Sequence, residues 1–474
     1  MAQHQTTRDL FVRNGQEHVF AFEKELSEEQ LAQLYQQLAE LPSPELLNGM
    51  FQESVVLSGS PSRPSDVIAP PPNQVISFNR SSTEEEELKQ IGMDAIQRGE
   101  LGVLLLSGGQ GTRLGSLLPK GMYDVGLQSG KTLFHIQAER ILRLQQLAGT
   151  VHPIPWYIMT SNFTHEETEQ YFRDNSYFGL KKEQILFFQQ GDVPCFSMDG
   201  KLLLQSKHEI ATAPNGNGGV YQALAKFGIL DHMKQRGIKF IHSYCVDNIL
   251  VKIGDPIFIG HCIKHGCDFG TKVVPKRDPH EKVGVFALKN GKYHVVEYSE
   301  ITKEMAERVD ETTGQLCFNA GNIVNFFYTL EFLERCADIL NTHKLYHIAK
   351  KDIESIDINT GEKKKQPGVK LELFNFDIVE YAKSVTIFQV DRESEFSPLK
   401  NAPNQNNSDS PETCRRDLSI LHSKYLERAG ANVVGDCRTQ LCEISPLVTY
   451  AGENLESFKG KTIPLPCHIT HTSN

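Results

Sequence analysis

The chain has 474 residues, 39% of them hydrophobic and 23% charged, and its formal net charge is −10. That length predicts two or three domains, and with no run of ~18 apolar residues no membrane span is expected. An acidic protein has no global attraction for nucleic acid, so a polyphosphate ligand would need Lys and Arg gathered at one place.

The start, "MAQHQTTRDLF", lacks a basic stretch followed by an apolar one, so a cytoplasmic protein without a secretory leader is expected. In "LSEEQLAQLYQQLAEL", Ser27 and Gln30 form a capping-box pattern. Leu31, Leu34, Tyr35, Leu38 and Leu41 then recur at helical spacing. Pro42 and Pro44 close this helix. The segment from Leu57 to Gln74, rich in Pro and Ser, reads as a loop or linker. "STEEEELKQIGMDAIQ" starts another helix with acids at its positive end.

From Gly99 the rhythm changes. "GVLLLS", "PWYIMT", "QILFFQQ" and "FIHSYCVDN" read as strands, and helical runs lie between them. Such alternation predicts a parallel sheet covered by helices. "GVFALKNGKYHVVEYS" departs from it, because Asn290-Gly291 between two alternating runs signals a hairpin. After the polar "EFSPLKNAPNQNNSDSPET" come a helix and short strands. The expected division is an N-terminal helical domain over 1–98, a central domain over 99–390 and a smaller C-terminal α+β domain over 391–474. The ten cysteines form no zinc-like pairs, since Cys262 and Cys267, like Cys437 and Cys442, are spaced too widely for CxxC. They read as buried thiols of a reducing compartment.

The most informative stretch is "LLLSGGQGTRLGSLLPKG", Leu104 to Gly121. Its strand delivers Gly108, Gly109 and Gly111 to the carboxyl edge of the sheet, where α/β proteins bind ligands. Glycines there let backbone N–H groups approach a base or phosphate. A dinucleotide fingerprint does not fit, because Gly115 comes one residue too late and Pro119 follows soon after. "GLQSGKT", Gly126 to Thr132, is one residue short of a P-loop and follows no buried strand, so it reads as a turn entering a helix. The remaining reading fits: the glycine turn, Gly-Thr-Arg and Pro-Lys resemble the signature of sugar-1-phosphate nucleotidyltransferases. Arg113 and Lys120 would neutralise a nucleoside triphosphate and its departing pyrophosphate.

Further candidates lie downstream. Asn217, in the glycine-rich "PNGNGGVYQAL", offers an amide to a ligand hydroxyl or acetamido group. Asp247 ends a buried strand, where a carboxylate can bind Mg²⁺. Glu297 and Tyr298 lie at another strand end, and Asn319 and Asn322 flank Gly321. Lys370 stands near Phe374 and Phe376, whose rings suit either the core or a pocket wall. Lys400 is a further phosphate cation.

Together these segments resemble the eukaryotic-type UDP-N-acetylhexosamine pyrophosphorylase family from about Gln16 to Ser457, most strongly in "PKGMYDVGL", "KTLFHIQAERIL", "PWYIMTS", "YFGLKKEQILFFQQG", "YCVDNILVK" and "EFSPLKNA". The resemblance implies a Rossmann-like, mixed but mainly parallel sheet flanked by an N-terminal helical and a C-terminal domain. It implies UTP and N-acetylglucosamine-1-phosphate as substrates, UDP-N-acetylglucosamine and pyrophosphate as products, and Mg²⁺ as cofactor. It also implies that backbone at Leu106, Gly108 and Gly109 and the side chain of Gln190 hold the uracil end with Gly216 close by, and Ser107 in the same loop is a further nucleotide-binding candidate. Asn217, Glu297, Tyr298 and Asn322 would contact the amino sugar, with Phe374 and Phe376 as candidate walls. Arg113, Lys120, Lys370 and Lys400 would face phosphates, and Asp247 would be the metal-linked acid. Two departures stand out: Ser107 where the family usually has Ala, and Asn215 where Asp is common. The C-terminal part is shorter than in animal members. A homodimer is compatible with the sequence, which does not fix the oligomeric state.

A sugar phosphate is already a nucleophile at neutral pH, so no general base is needed and no histidine is assigned to catalysis. Positioning and charge neutralisation would supply most of the rate. The alternatives are a UDP-glucose or broad UDP-sugar pyrophosphorylase, a silent UDP-sugar-binding homologue and, more distantly, a Rossmann dehydrogenase.

Overall fold

The computed structural model describes residues 2–59, 67–70, 74–76, 82–343, 345–404 and 408–471. The chain forms two compact units, each assembled from segments distant in sequence.

The first unit comprises Met1–Ser62, Gln190–Ala223 and Ala337–Asp377. Its helices are Ala2–Arg13, Glu28–Glu40 and Pro44–Gly59. The Ser27–Gln30 capping box forms in both directions, and Leu34, Tyr35 and Leu38 are the buried face of the helix it starts. Pro44 opens the third helix, where its missing N–H costs nothing, and that helix runs to Gly59, into the stretch expected to be loop. Residues 60–66 and 71–73 of that stretch lie outside the described residues. A long antiparallel hairpin, Tyr346–Ile356 with Lys363–Leu373, pairs with Phe196–Ser197. Gln16 ties the N-terminal helices to this unit: its Nε2 donates to the Gly200 carbonyl at 3.1 Å, and its Oε1 accepts from the Leu202 amide at 2.9 Å.

The second unit comprises Arg63–Gln189, Leu224–Cys336 and Ile378–Asn474. Its main sheet runs, in spatial order, Val75–Ile76, Val385–Gln389, Phe269–Pro275, Ala320–Thr329, Phe240–Cys245, Leu101–Leu106, Trp156–Thr160 and Ile185–Gln189. Every neighbouring pair is parallel except the two made by Ala320–Thr329, which is antiparallel to both its neighbours. The mixed, mainly parallel sheet expected from the sequence is therefore present. The hairpin is too: Val285–Lys289 pairs with Lys292–Val296 around Asn290 and Gly291, both at positive φ. Strand Leu101–Leu106 is buried throughout, as a sheet covered on both faces requires.

One feature of this topology places the ligand end. Chain leaving Leu106 proceeds through helix Leu133–Ala148 to the strand on one side, whereas Phe240–Cys245 lies parallel on the other, with Cys245 opposite Leu106. The loops after these two strands diverge, which makes the crevice at their carboxyl ends a topological switch point. The C-terminal segment adds helix Pro411–Arg428 and two short parallel strand pairs. They share a hydrophobic cluster with Val125, Leu133, Ile136, Ile249 and Leu250. All ten cysteines are free thiols. Among the described residues no helix is long and apolar enough to cross a membrane.

Candidate functional site

In the second unit the loop after Leu106 folds back on itself. The Gly111 amide donates to the Leu118 carbonyl at 3.0 Å and the Lys120 amide to the Gly109 carbonyl at 3.1 Å, which closes a small ladder. Gly115 reverses the chain at φ +77°, the reason a glycine stands one place later than a dinucleotide fingerprint requires. The amides of Gly108 and Gly109 give no hydrogen bond among the described residues, so they remain available as donors. Ser107 donates its amide to the Met159 carbonyl, and its buried hydroxyl has no partner among the described residues. The Leu106 carbonyl accepts from Val246 at 3.2 Å.

This fold-back turns Lys120 toward the neighbouring strand end. Its ammonium lies 3.5 Å from the Asp247 carboxylate, both side chains about one-fifth exposed at 19% and 20%. Two residues far apart in sequence thus meet at the switch point. Lys400 belongs to the same region: the Leu399 amide donates to the Asp247 carbonyl at 2.9 Å, and the Lys400 ammonium is 6.0 Å from the Phe396 ring centre. Burial and the Asp247 charge push the Cys245 thiol up to about 12 against the pull of Lys120 and Lys400. Cys245 is therefore a protonated, inert neighbour. Arg113 projects from the turn Thr112–Leu114, exposed and with no ion pair among the described residues.

The turn mistaken most easily for a P-loop has a structural task. Thr132 caps helix Leu133–Ala148, and Lys131 pairs with the buried Glu139 at 2.7 Å.

Glu297 and Asn322 come together around Gly284. The Gly284 carbonyl accepts from the Asn322 amide at 2.8 Å, and a side chain at Gly284 would begin 2.7 Å from a Glu297 carboxylate oxygen. Asn322 Oδ1 accepts from the Val324 amide at 2.9 Å, leaving its NH₂ group for other partners. The strand bulges here: Lys272 pairs with Asn325 and Val273 with Asn322, so Ile323 and Val324 are extra, and Val324 sits at φ +52°. A β-branched residue at positive φ is strained, and such strain concentrates at functional sites. Tyr298 is 49% exposed. Asn319 uses its side-chain oxygen on the Lys276 amide at 2.8 Å.

In the first unit, Gly216 has φ +87°, and a Cβ there would lie 2.4 Å from the Leu373 carbonyl. Only glycine lets this turn lie against the end of the long hairpin. Asn217 Oδ1 accepts from the Asn375 amide at 3.0 Å, which holds the side chain with its NH₂ group left for other partners. Phe374 and Phe376 stack at 5.1 Å; Phe376 is core, whereas Phe374 is half-buried. Gln190 is buried, and Lys370 is half-buried on the hairpin, where its charge acts on Cys195. Sequence reasoning passed over Asn375 and His347. Asn375 is 1% exposed with neither side-chain polar atom partnered among the described residues. His347 lies 2.8 Å from Asp377 and 4.5 Å from the Phe374 ring. The run "LFNFD" held a hint of Asn375, a polar residue between aromatics, but no spacing rule marks it.

A mainly parallel sheet with a glycine loop, a lysine and a strand-end aspartate at its switch point defines an α/β protein of the nucleotidyltransferase type. The family model described as UTP–glucose-1-phosphate uridylyltransferase matches residues 57–459. The chain is 45% identical over 468 residues to the UDP-N-acetylglucosamine pyrophosphorylase of Saccharomyces cerevisiae, covering 96% of this chain and 97% of that one. It is 42% identical to the human UDP-N-acetylhexosamine pyrophosphorylase-like protein 1, covering 97% and 95%. Among solved structures, the uridine diphosphate N-acetylglucosamine pyrophosphorylase of Trypanosoma brucei matches with TM-score 0.83 at 31% identity, over 98% of this chain and 99% of that one. The chain belongs to the UTP–glucose-1-phosphate uridylyltransferase family, in its UDP-N-acetylhexosamine pyrophosphorylase branch.

Proposed function

We propose that this protein is an enzyme joining UTP and N-acetylglucosamine-1-phosphate to give UDP-N-acetylglucosamine and pyrophosphate. The observation that carries the proposal is the Lys120–Asp247 pair at the switch point, under a loop with free glycine amides. A phosphate oxygen of the sugar phosphate attacks the α-phosphorus in line, and the bond to pyrophosphate breaks. No proton has to be removed, which suits a site whose groups toward the phosphates are lysines, an arginine and one aspartate. In the second unit, Arg113 and Lys120 take the leaving pyrophosphate, Lys400 faces a phosphate, the amides of Gly108 and Gly109 take the uracil end beside Ser107, and Glu297, Tyr298 and Asn322 address the amino sugar. In the first unit, taken by itself, Gln190, Gly216 and Lys370 suit a nucleotide, and Asn217 and Phe374 suit an amino sugar.

Asp247 would hold Mg²⁺. The described residues contain no cluster of three His, Cys, Asp or Glu side chains. A lone carboxylate suits magnesium, which keeps waters and takes most other ligands from substrate phosphates. When bound, the ion neutralises charge at the α-phosphate. The free thiols suit a cytoplasmic location.

The test is pyrophosphate release with UTP and each of glucose-1-phosphate, N-acetylglucosamine-1-phosphate and N-acetylgalactosamine-1-phosphate. The N-acetylated sugars should give the highest kcat/KM. Preference for glucose-1-phosphate would overturn the sugar assignment, and no release with any of them would overturn the enzymatic one.

A further inference from the structure

The loop carrying Asp247 is unusually constrained. Val246 offers its carbonyl to Gln137 Nε2 at 3.0 Å, Asp247 to the Leu399 amide at 2.9 Å, and Ile249 and Val251 to Arg140 Nη1 at 2.7 and 3.2 Å. Gln137 and Arg140 come from the inner face of helix Leu133–Ala148, so that helix fixes the loop from one side.

Asn248 fixes it from the other. It is 4% exposed, and its side chain makes three hydrogen bonds at once. Nδ2 donates to the Glu395 carbonyl at 2.7 Å, while Oδ1 accepts from the Ser397 amide at 3.0 Å and the Leu250 amide at 3.2 Å. Two of the three partners lie on the segment leading into Lys400. That segment is anchored in turn, because the Glu395 carboxylate is held by Lys272 at 2.5 Å and Lys252 at 3.2 Å. A backbone bridge between Asn248 and Pro398 continues the junction. One buried side-chain amide therefore joins the chain bearing Asp247, which faces Lys120, to the chain bearing Lys400.

We infer that Asn248 is a positioning residue that sets the Lys400 ammonium relative to the Lys120–Asp247 pair. The inference rests on the proposed role of Lys400 toward phosphate. The Asn248 side chain is buried against its three protein partners; Ala at this position deletes the three bonds and lets the Lys400 segment drift, and a misplacement of about 1 Å can cost ~10²-fold in rate. Because the effect travels through Lys400, it disappears when Lys400 is absent.

The experiment is a double-mutant cycle on the full chain, with Asn248→Ala, Lys400→Ala and the double variant, measuring kcat, KM for UTP and thermal unfolding. Asn248→Ala should lower kcat about ten- to a hundredfold with KM for UTP changed by less than about threefold. In the Lys400→Ala background it should cost less than about threefold more. Asn248→Asp, which keeps the acceptor for Ser397 and Leu250 but faces an oxygen toward the Glu395 carbonyl, should fall between parent and Ala. It replaces Ala in the cycle if that variant does not fold. Parental kcat in Asn248→Ala, or losses that multiply with Lys400→Ala, would overturn the inference. Parental kcat in Lys400→Ala would instead overturn the underlying role of Lys400, and the single-variant data separate the two failures. Lower thermal stability with parental kcat in the folded enzyme would mark a merely structural role and also overturn it.

Discussion

Lys272 sits at 0% exposure on strand Phe269–Pro275, its ammonium 2.5 Å from both Asp255 and Glu395. Lys272→Met keeps most of the volume but removes the charge shared by two buried carboxylates. Breaking a buried pair from one side costs about 3–5 kcal/mol, because the orphaned charge stays buried. Lys252 still reaches one Glu395 oxygen at 3.2 Å, so the low end, about 3 kcal/mol, is expected. Most of it falls on Asp255. Burial works to raise that carboxyl, but Lys272 and Lys252 outweigh burial and hold it below the usual carboxylate range. In the parent, this group's folded value lies below its unfolded one. Its contribution is present above the unfolded value, about pH 4, and is lost as pH falls through the folded one. Without Lys272 burial prevails, the folded value rises above the unfolded one, and the contribution is lost as pH rises. The gap between parent and variant should therefore narrow as pH falls from about 7.5 to about 5.5. Adding Asp255→Asn should restore about half of the loss, since Asn can still accept from the Ile257 amide that Asp255 caps. The single tryptophan, Trp156, is buried in the same unit and reports urea unfolding by fluorescence. A loss under ~1 kcal/mol, an unchanged gap across pH, or no gain from Asp255→Asn would refute the reasoning.

Three further outcomes are expected. Lys120→Ala should slow the chemical step about 10²–10³-fold in single-turnover measurements; a near-parental rate would remove Lys120 from the site. His242 is pushed down to about 4 by burial and the nearby Lys272, and His422 to about 3 by burial and Arg140. Each folded value lies below the unfolded one, so their stabilisation is complete above about pH 6.5 and falls by about 1.4 kcal/mol per pH unit per ring below it. His422→Gln should flatten that slope in urea melts, and an unchanged slope would count against the buried neutral ring. Gly216→Ala, strained at positive φ and in collision with the Leu373 carbonyl, should destabilise the first unit by about 2 kcal/mol or more. Hydrogen exchange in the Lys363–Leu373 strand checks this, and parental protection there would contradict it.

The sequence alone determined the elements whose signals are local. The Ser27–Gln30 cap, the Asn290-Gly291 hairpin and the alternation from Gly99 onward each depend on residues a few positions apart, and each forms. The misplaced Gly115 and the short count in "GLQSGKT" were equally local, and the structure gives both segments other work. The extent of helix Pro44–Gly59 was not legible, because Pro at a first turn and Pro after a last turn look alike in sequence. Nor was the hairpin Tyr346–Leu373, whose strands alternate only partly and whose partner is far upstream. Within the site, residue types pointed to Lys120, Asp247 and Lys400, but not to their meeting. The 3.5 Å approach of Lys120 to Asp247 depends on a parallel pairing between strands almost 140 residues apart. Asn248, Asn375 and the buried Lys272 are invisible for the same reason. A polar side chain declares its role only when the fold has decided which carbonyls, amides and charges it must satisfy once water is gone.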